Sequence, residues 1–274
     1  MNASPPPTPS APLPGAWQWT GNAFMPCAAL PLTDRGFRYG MAVFESLRVT
    51  VGVGEFFEQH LARLAQACGE REFALDESVL SAVATLFQDA ACNGFARIYV
   101  TAGDGPLIAP AAHARLFVFV EDRAAPDADD AWELTFHDET YHAPFGGLKT
   151  ANYWFNADAL GRARRRGCDE ALLFNDRAEL VSACCANVFL LHGDRLSTPA
   201  RASGARAGVV REWVMARRKV EERRLRREDV TRADEIFLTN SWVGVQPAAT
   251  LEGRPLGPRA VGPKLAAQFA ARGP

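Results

Sequence analysis

Residues 121–130, EDRAAPDADD, break the chain with a polar run that holds a proline and carries no hydrophobic period. Such a run fits neither a buried strand nor an amphipathic helix, so the apolar segments on its two sides are expected to build separate cores. The 274 residues agree with that division, because roughly 150 residues make one domain. The reading is a lead-in over residues 1–14, an N-terminal α/β domain over 15–121, a linker over 122–131 and a C-terminal α/β domain over 132–274. The lead-in is rich in Pro, Ser and Ala, which favours disorder, and it lacks the basic start and apolar stretch of a signal peptide.

Strands and helices alternate in both halves. Segments 16–24 and 28–32 suit a hairpin, 34–36 a turn and 42–51 a strand. Phe57, Leu61, Leu64 and Cys68 recur at helical spacing over 56–68. Val79, Val83, Leu86 and Phe87 do the same over 76–92, where Asp76 is a candidate N-cap. Residues 96–101 and 114–120 read as sheet strands. The second half adds strands at 132–137, 169–174, 179–182, 187–192 and 233–238, and helices at 154–166, 208–218 and 261–271. Mixed elements on both sides of the break give two α/β or α+β domains.

Composition excludes several function classes. Hydrophobic residues make up 48% and charged residues 23%, the balance of a globular chain with a core. No apolar stretch approaches the roughly 18 residues of a membrane span. Thirty basic residues face 32 acidic ones, so no overall field favours nucleic acid or anionic lipid. The basic runs 162–166 and 217–227 raise a nucleic-acid alternative. Both fall on expected helix surfaces, and the second is interleaved with Glu221, Glu222, Glu228 and Asp229, so solvated faces are the better reading. The six cysteines form no CxxC pair. No metal site or disulfide framework is expected, and free thiols suggest a reducing, cytoplasmic compartment.

Lysine is scarce. It occurs at 149, 219 and 264, and arginine supplies the rest of the basic residues. Lys219 lies in an arginine run and Lys264 begins the last helix. Lys149 follows Gly146-Gly147-Leu148 and has no charged neighbour within several residues. An apolar setting disfavours the ammonium form, which suits a nucleophilic amine. An exposed loop lysine is the bland alternative.

Five local patterns stand in a definite order. They are Asp34-Arg35-Gly36-Phe37-Arg38-Tyr39-Gly40 leading into Val43 to Arg48, then His60-Leu61-Ala62-Arg63-Leu64. Lys149-Thr150-Ala151-Asn152-Tyr153 follows, then Ala183-Cys184-Cys185-Ala186-Asn187-Val188-Phe189, and last Leu238-Thr239-Asn240-Ser241 with Pro247. Together, across roughly residues 30–265, they resemble the class IV aminotransferases. These are fold-type IV pyridoxal-phosphate enzymes, among them branched-chain and D-amino-acid aminotransferases and 4-amino-4-deoxychorismate lyase. The resemblance implies a two-domain α/β fold, a homodimer, and pyridoxal 5′-phosphate in the cleft between the domains.

It also implies roles. Lys149 matches the family's Schiff-base lysine. Arg63 matches its phosphate-binding arginine, whose guanidinium fork suits a phosphate dianion. Gly208-Val209-Val210-Arg211 resembles the helix start whose Val209 and Val210 N–H groups would hold the phosphate. Thr239 and Ser241 would add hydroxyl donors, and Tyr153 matches a tyrosine that bonds the cofactor's ring oxygen. Arg48 matches a position near the substrate, and with Arg38 it is a candidate for the substrate carboxylate. The ordinary alternatives are a surface salt bridge for Arg63, a strand-edge arginine for Arg48, turn residues at 239 and 241, and a core aromatic at 153.

Ser182 departs from the family, where a glutamate usually stands five residues before the counterpart of Asn187. That carboxylate keeps the pyridine nitrogen protonated and makes the ring a strong electron sink. A serine cannot stabilise that charge, and Glu179 is expected on the opposite strand face. Elimination demands less of the sink than transamination does, and Cys184-Cys185 resembles the lyase branch. The loop at 102–107 lacks both the Arg-x-His pair of the D-amino-acid enzymes and the lyase arginine. The expectation is an aminotransferase acting on a small amino acid or amine and a keto acid. The lyase that releases pyruvate to give 4-aminobenzoate, and a non-catalytic cofactor-binding protein, stay open as alternatives.

Overall fold

The structure, a computed structural model, describes residues 15–75, 77–123, 131–257 and 260–272. The lead-in, Asp76 and most of the expected linker lie outside the described residues. The chain divides between Arg123 and Ala124 into two compact units. Among the described residues no helix is long and apolar enough to cross a membrane.

The first unit runs β1 (Ala16–Trp19), β2 (Phe24–Pro26), α1 (Arg35–Tyr39), β3 (Ala42–Thr50), β4 (Val53–Gly54), α2 (Phe57–Glu70), α3 (Glu77–Asp89), β5 (Gly94–Thr101) and β6 (Arg115–Glu121). Its strands form one antiparallel sheet in the order β2-β1-β6-β5-β3-β4. Alternate residues bury Leu47, Ile98, Leu116 and Val118, and α2, with Leu64 buried, lies against β3. Arg35 is fully buried, with its guanidinium donating to the carbonyls of Ala102, Gly103, Ala109 and Pro110, so it braces the 102–110 loop from inside.

Two expectations shift here. The hairpin closes earlier than expected, because Thr20 N and Oγ1 both donate to the Ala23 carbonyl and make a turn. The returning strand is therefore Phe24–Pro26, and residues 28–32 are irregular. The expected turn at 34–36 opens a short helix instead. Asp34 caps it by accepting from Gly36 N at 2.7 Å.

The second unit runs β7 (Trp132–Phe136), α4 (Trp154–Arg165), β8 (Glu170–Phe174), β9 (Leu180–Ala183), β10 (Asn187–His192), β11 (Arg195–Pro199), α5 (Val209–Met215), β12 (Val220–Arg223), α6 (Arg227–Thr231), β13 (Glu235–Asn240), β14 (Gly244–Leu251), β15 (Arg254–Pro255) and α7 (Val261–Ala270). Its sheet has the order β12-β11-β10-β13-β14-β7-β8-β9, with β15 pairing β14. The β11/β12, β14/β7 and β7/β8 pairs are parallel. Leu172, Val188, Leu238 and Ala248 meet in one buried cluster. α4 lies on β8, α5 on β13, and α7 on β13 and β14.

The run 217–227 is not a helix face as expected. β12 is an edge strand whose Glu221, Glu222 and Arg223 keep a polar rim on the sheet. α5 also ends earlier than 218. β14 was not expected; although it contains Pro247, it pairs on both sides. Pro247 pairs with Phe237 of β13, and the β14/β7 register shifts just beyond it, between Ala248 and Thr250. Leu172→Ala empties a fully buried site in this cluster, and the expected loss is about 2–5 kcal/mol, read by urea unfolding.

Candidate active site

Lys149 leaves a tight turn. Residues Pro144–Gly146 form a 3-10 turn, and Gly147 follows at φ 101°. A Cβ at Gly147 would come within 2.8 Å of the Gly204 carbonyl, so this loop lies backbone-to-backbone against the 204–205 loop. Half-buried Lys149 then donates from Nζ to Tyr153 Oη at 3.2 Å. Arg206, from the neighbouring loop, donates from Nη1 to the same oxygen at 2.8 Å and from Nε to the Gly147 carbonyl at 3.4 Å. Burial pushes the Tyr153 phenol up, but Lys149 and Arg206 outweigh it and hold it at about 8.

Asn187 joins this cluster to the sheet. It sits opposite Thr239 in the β10/β13 register, and its Nδ2 donates to the Arg206 carbonyl at 2.9 Å. A Cβ at Gly208 would lie 2.0 Å from Asn187 Oδ1, so only glycine fits there, directly before α5. Val209 and Val210 are buried in the first turn of α5, whose leading N–H groups have no partner within the helix. Thr239 Oγ1 and Thr150 Oγ1 are buried with no hydrogen-bond partner among the described residues. Ser241 is half-buried in the turn after β13. Asn240 shapes that turn by accepting from Trp242 N and Val243 N, while its Nδ2 donates to the Cys185 carbonyl.

Ser182 is half-buried on β9 opposite Leu173. Glu179 is buried and accepts from Asn175, Arg177 and Ser203. Glu170 is a further buried carboxylate, accepting from Cys184 N at 2.9 Å and Cys185 N at 3.1 Å. Burial pushes Glu170 up to about 7 despite those bonds.

The candidates of the first unit stand apart from one another. Arg63 on α2 grips Glu45 of β3 with Nε and Nη2, each at 2.6 Å. His60 Nδ1 lies 2.8 Å from the same carboxylate. Burial pushes Glu45 up, but Arg63 and His60 outweigh it and hold the carboxyl well below the usual range. Arg48 lies 3.7 Å from Glu55, towards the β3–β4 turn. Arg38 is exposed on α1, stacked 4.8 Å over Tyr39, and lines a surface groove of about 530 Å³ with Asp104 and Leu107.

The structure thus brings Lys149 and Tyr153 into contact and ties Thr239 and the start of α5 to them through Asn187 and Arg206. Arg206, Glu170, Glu45 and His60 were not among the expected site residues. Glu45 and His60 lie inside the quoted patterns, so those patterns carried a signal for them. Nothing in the spacing marked Arg206 or Glu170.

The family model for amino-transferase class IV matches residues 42–251. The chain belongs to the class IV aminotransferase family. A relative from Methanocaldococcus jannaschii, assigned as a branched-chain-amino-acid aminotransferase, is 26% identical over 250 residues, covering 86% of this chain and 87% of that one. The crystal structure of 4-amino-4-deoxychorismate lyase from Pseudomonas aeruginosa matches with a TM-score of 0.83 at 25% identity, over 92% of this chain and 97% of that one. The fold is also that of the T.th. branched-chain amino acid aminotransferase with pyridoxamine 5′-phosphate, with a TM-score of 0.81 at 20% identity over 93% of both chains. The fold-type IV class is thereby established, and the chain is a pyridoxal-phosphate-dependent enzyme.

Glu45→Gln leaves Arg63 without its buried counter-charge, and the expected destabilisation at pH 7 is about 3–5 kcal/mol. A depressed carboxyl contributes stability above its unfolded value of about 4.3 and loses it as pH falls towards its folded value. The gap between the native chain and Glu45→Gln should therefore hold from pH 7 to about 4 and narrow progressively as unfolding is followed to lower pH.

Proposed function

We propose that this enzyme moves an amino group between a small amino acid or amine and a keto acid, with Lys149 as the amine that carries pyridoxal phosphate. The observation behind this reading is the Lys149–Tyr153 contact, joined through Arg206 and Asn187 to a buried hydroxyl, Thr239 Oγ1, that lacks a partner. The donor set fits the group, since an orphaned hydroxyl and the leading amides of α5 at Val209 and Val210 suit a phosphate. When bound, pyridoxal phosphate supplies an aldehyde that links to an amine and a ring that takes up electron density.

The chain's own residues would divide the work. Thr239, Ser241, Val209 and Val210 would hold the phosphate, and Arg63, by its motif, would be its guanidinium partner. Tyr153 would donate to the ring oxygen, and Ser182 would face the ring nitrogen. Lys149, displaced by a substrate amine, would move a proton from the substrate carbon. Arg48 and Arg38 stand as candidates for the substrate carboxylate. A cytoplasmic homodimer with no nucleic-acid or membrane partner completes the reading.

One observation favours the lyase. Glu179 and Glu170, two buried carboxylates of the strands around Ser182, are engaged with Arg177 and with the Cys184 and Cys185 amides. Neither is offered to stand in for the missing glutamate. The Cys184-Cys185 run and the lyase from Pseudomonas aeruginosa point the same way. The Lys149–Tyr153 contact argues against the non-catalytic alternative.

The test is the visible absorbance of the protein with pyridoxal phosphate and a panel of L-amino acids, D-amino acids and amines. The expected result is a yellow band that Lys149→Ala abolishes and one donor class bleaches. A band that no donor bleaches would favour the lyase, with aminodeoxychorismate tested next. No band at all would overturn the assignment of Lys149.

A further inference from the structure

Two cationic groups converge on one phenol oxygen. Lys149 Nζ lies 3.2 Å from Tyr153 Oη and Arg206 Nη1 lies 2.8 Å from it, and both donate. Arg206 is held there from two sides. Its Nε donates to the Gly147 carbonyl, in the loop that delivers Lys149, and its own carbonyl accepts from Asn187. The guanidinium is therefore directed at Tyr153 by the backbone of both loops. Among the described residues, the Cys185 thiol and the Tyr141 phenol also act on Tyr153. Burial pushes Tyr141 up, and packed surroundings followed by the Glu170 carboxylate push Cys185 up to about 11, so both stay neutral through the working range.

We propose that Arg206 is a positioning residue that makes Tyr153 the proton-exchange partner of Lys149: its guanidinium stabilises the phenolate, which takes a proton from the Lys149 ammonium and hands it back. In the forward step one N–H bond of the ammonium breaks and the O–H bond of Tyr153 forms. Phenolate and ammonium become phenol and amine, and no other reactant is needed. A plain phenol keeps its proton to pH near 10, so it offers almost no phenolate to accept a proton in the working range. Proton transfer is most efficient between groups whose affinities lie near the operating pH. This inference rests on the reading of Lys149 as the cofactor's lysine and adds how that amine is brought to its neutral form.

The test uses the full chain freed of cofactor. Phenolate absorbance followed against pH should show a step near 8 that Tyr153→Phe removes. Arg206→Leu should move the step up by at least about one pH unit, a tenfold loss of acidity, while Arg206→Lys keeps it within about half a unit. With lysine at only three positions, the carbon-13 resonances of methylated Lys149, Lys219 and Lys264 can be followed separately. The resonance lost in Lys149→Ala should titrate together with the Tyr153 step in the native chain and part from it in Arg206→Leu. If Arg206→Leu does not fold, Arg206→Gln gives the same comparison with a neutral donor. A step that stays in place in either folded variant, or a Lys149 resonance indifferent to both, overturns the proposal. That failure would leave the absorbance band and its dependence on Lys149 untouched, so the two readings fall separately.

Discussion

The carboxamide of Asn187 is fixed at both ends. Its Nδ2 donates to the Arg206 carbonyl, and its Oδ1 fills the space that any side chain at residue 208 would need. Asn187 also opens β10 opposite Thr239 of β13, so one side chain ties the sheet to the loop that leads into α5. The spacing of Arg206, the first turn of α5 and Thr239 follows from that single connection. The task calls for an amide. A carboxylate in its place would face the Arg206 carbonyl with no proton to give, and an unmet buried polar group costs about 1–3 kcal/mol.

The two units hold their central arginines in opposite ways. Arg63 is clamped by both oxygens of Glu45, a carboxylate kept charged and itself braced by His60. Such a fork fixes the guanidinium's plane, and the nearby negative charge balances it. Arg206 is instead anchored by a phenol oxygen and a backbone carbonyl, neither of which carries a formal charge at low pH. Its field lowers both phenols beside it: at Tyr153, with Lys149 and a direct hydrogen bond, it outweighs burial, whereas at Tyr141 burial prevails and pushes the phenol up. One arginine is built for geometry, the other for electrostatics.

Much of the fold was legible because periodicity reports burial. Helices α2, α3, α4 and α7 and strands β3, β5, β6, β8 and β10 carry a regular apolar period or run, and all lie close to their expected bounds. The elements that escaped are those whose pattern is masked by a local rule. Pro247 hides β14, and the charge of an edge strand hides β12. The site divides similarly. Lys149, Tyr153 and Thr239 lie within recognisable local patterns, and the structure puts the first two in contact. Arg206 was invisible because its meaning is through space. Lys149 has no charged neighbour within several residues along the chain, yet a guanidinium reaches the phenol beside it from 53 residues beyond Tyr153. Glu170 escaped for the same reason, since its partners are backbone amides across the β8–β9 pair.

Ser182 keeps its significance once the surrounding carboxylates are placed. A glutamate could be dispensable there if another acid reached the same point, and the sequence offers Glu179 and Glu170 nearby. Glu179 is bound into the turn by Asn175, Arg177 and Ser203, whose bonds and positive charge hold it at about 2. Glu170 has spent its two oxygens on the Cys184 and Cys185 amides, and burial favours its neutral form. Releasing either would strand buried donors, at about 1–3 kcal/mol for each unmet group. On the strand side Glu179 is thus ionised but paired with Arg177 and Glu170 favours its neutral form, whereas Lys149 and Arg206 meet at Tyr153. A site of this polarity stabilises negative charge that develops near the phenol more than positive charge near Ser182. On the reading proposed above, that asymmetry would suit elimination at least as well as transamination.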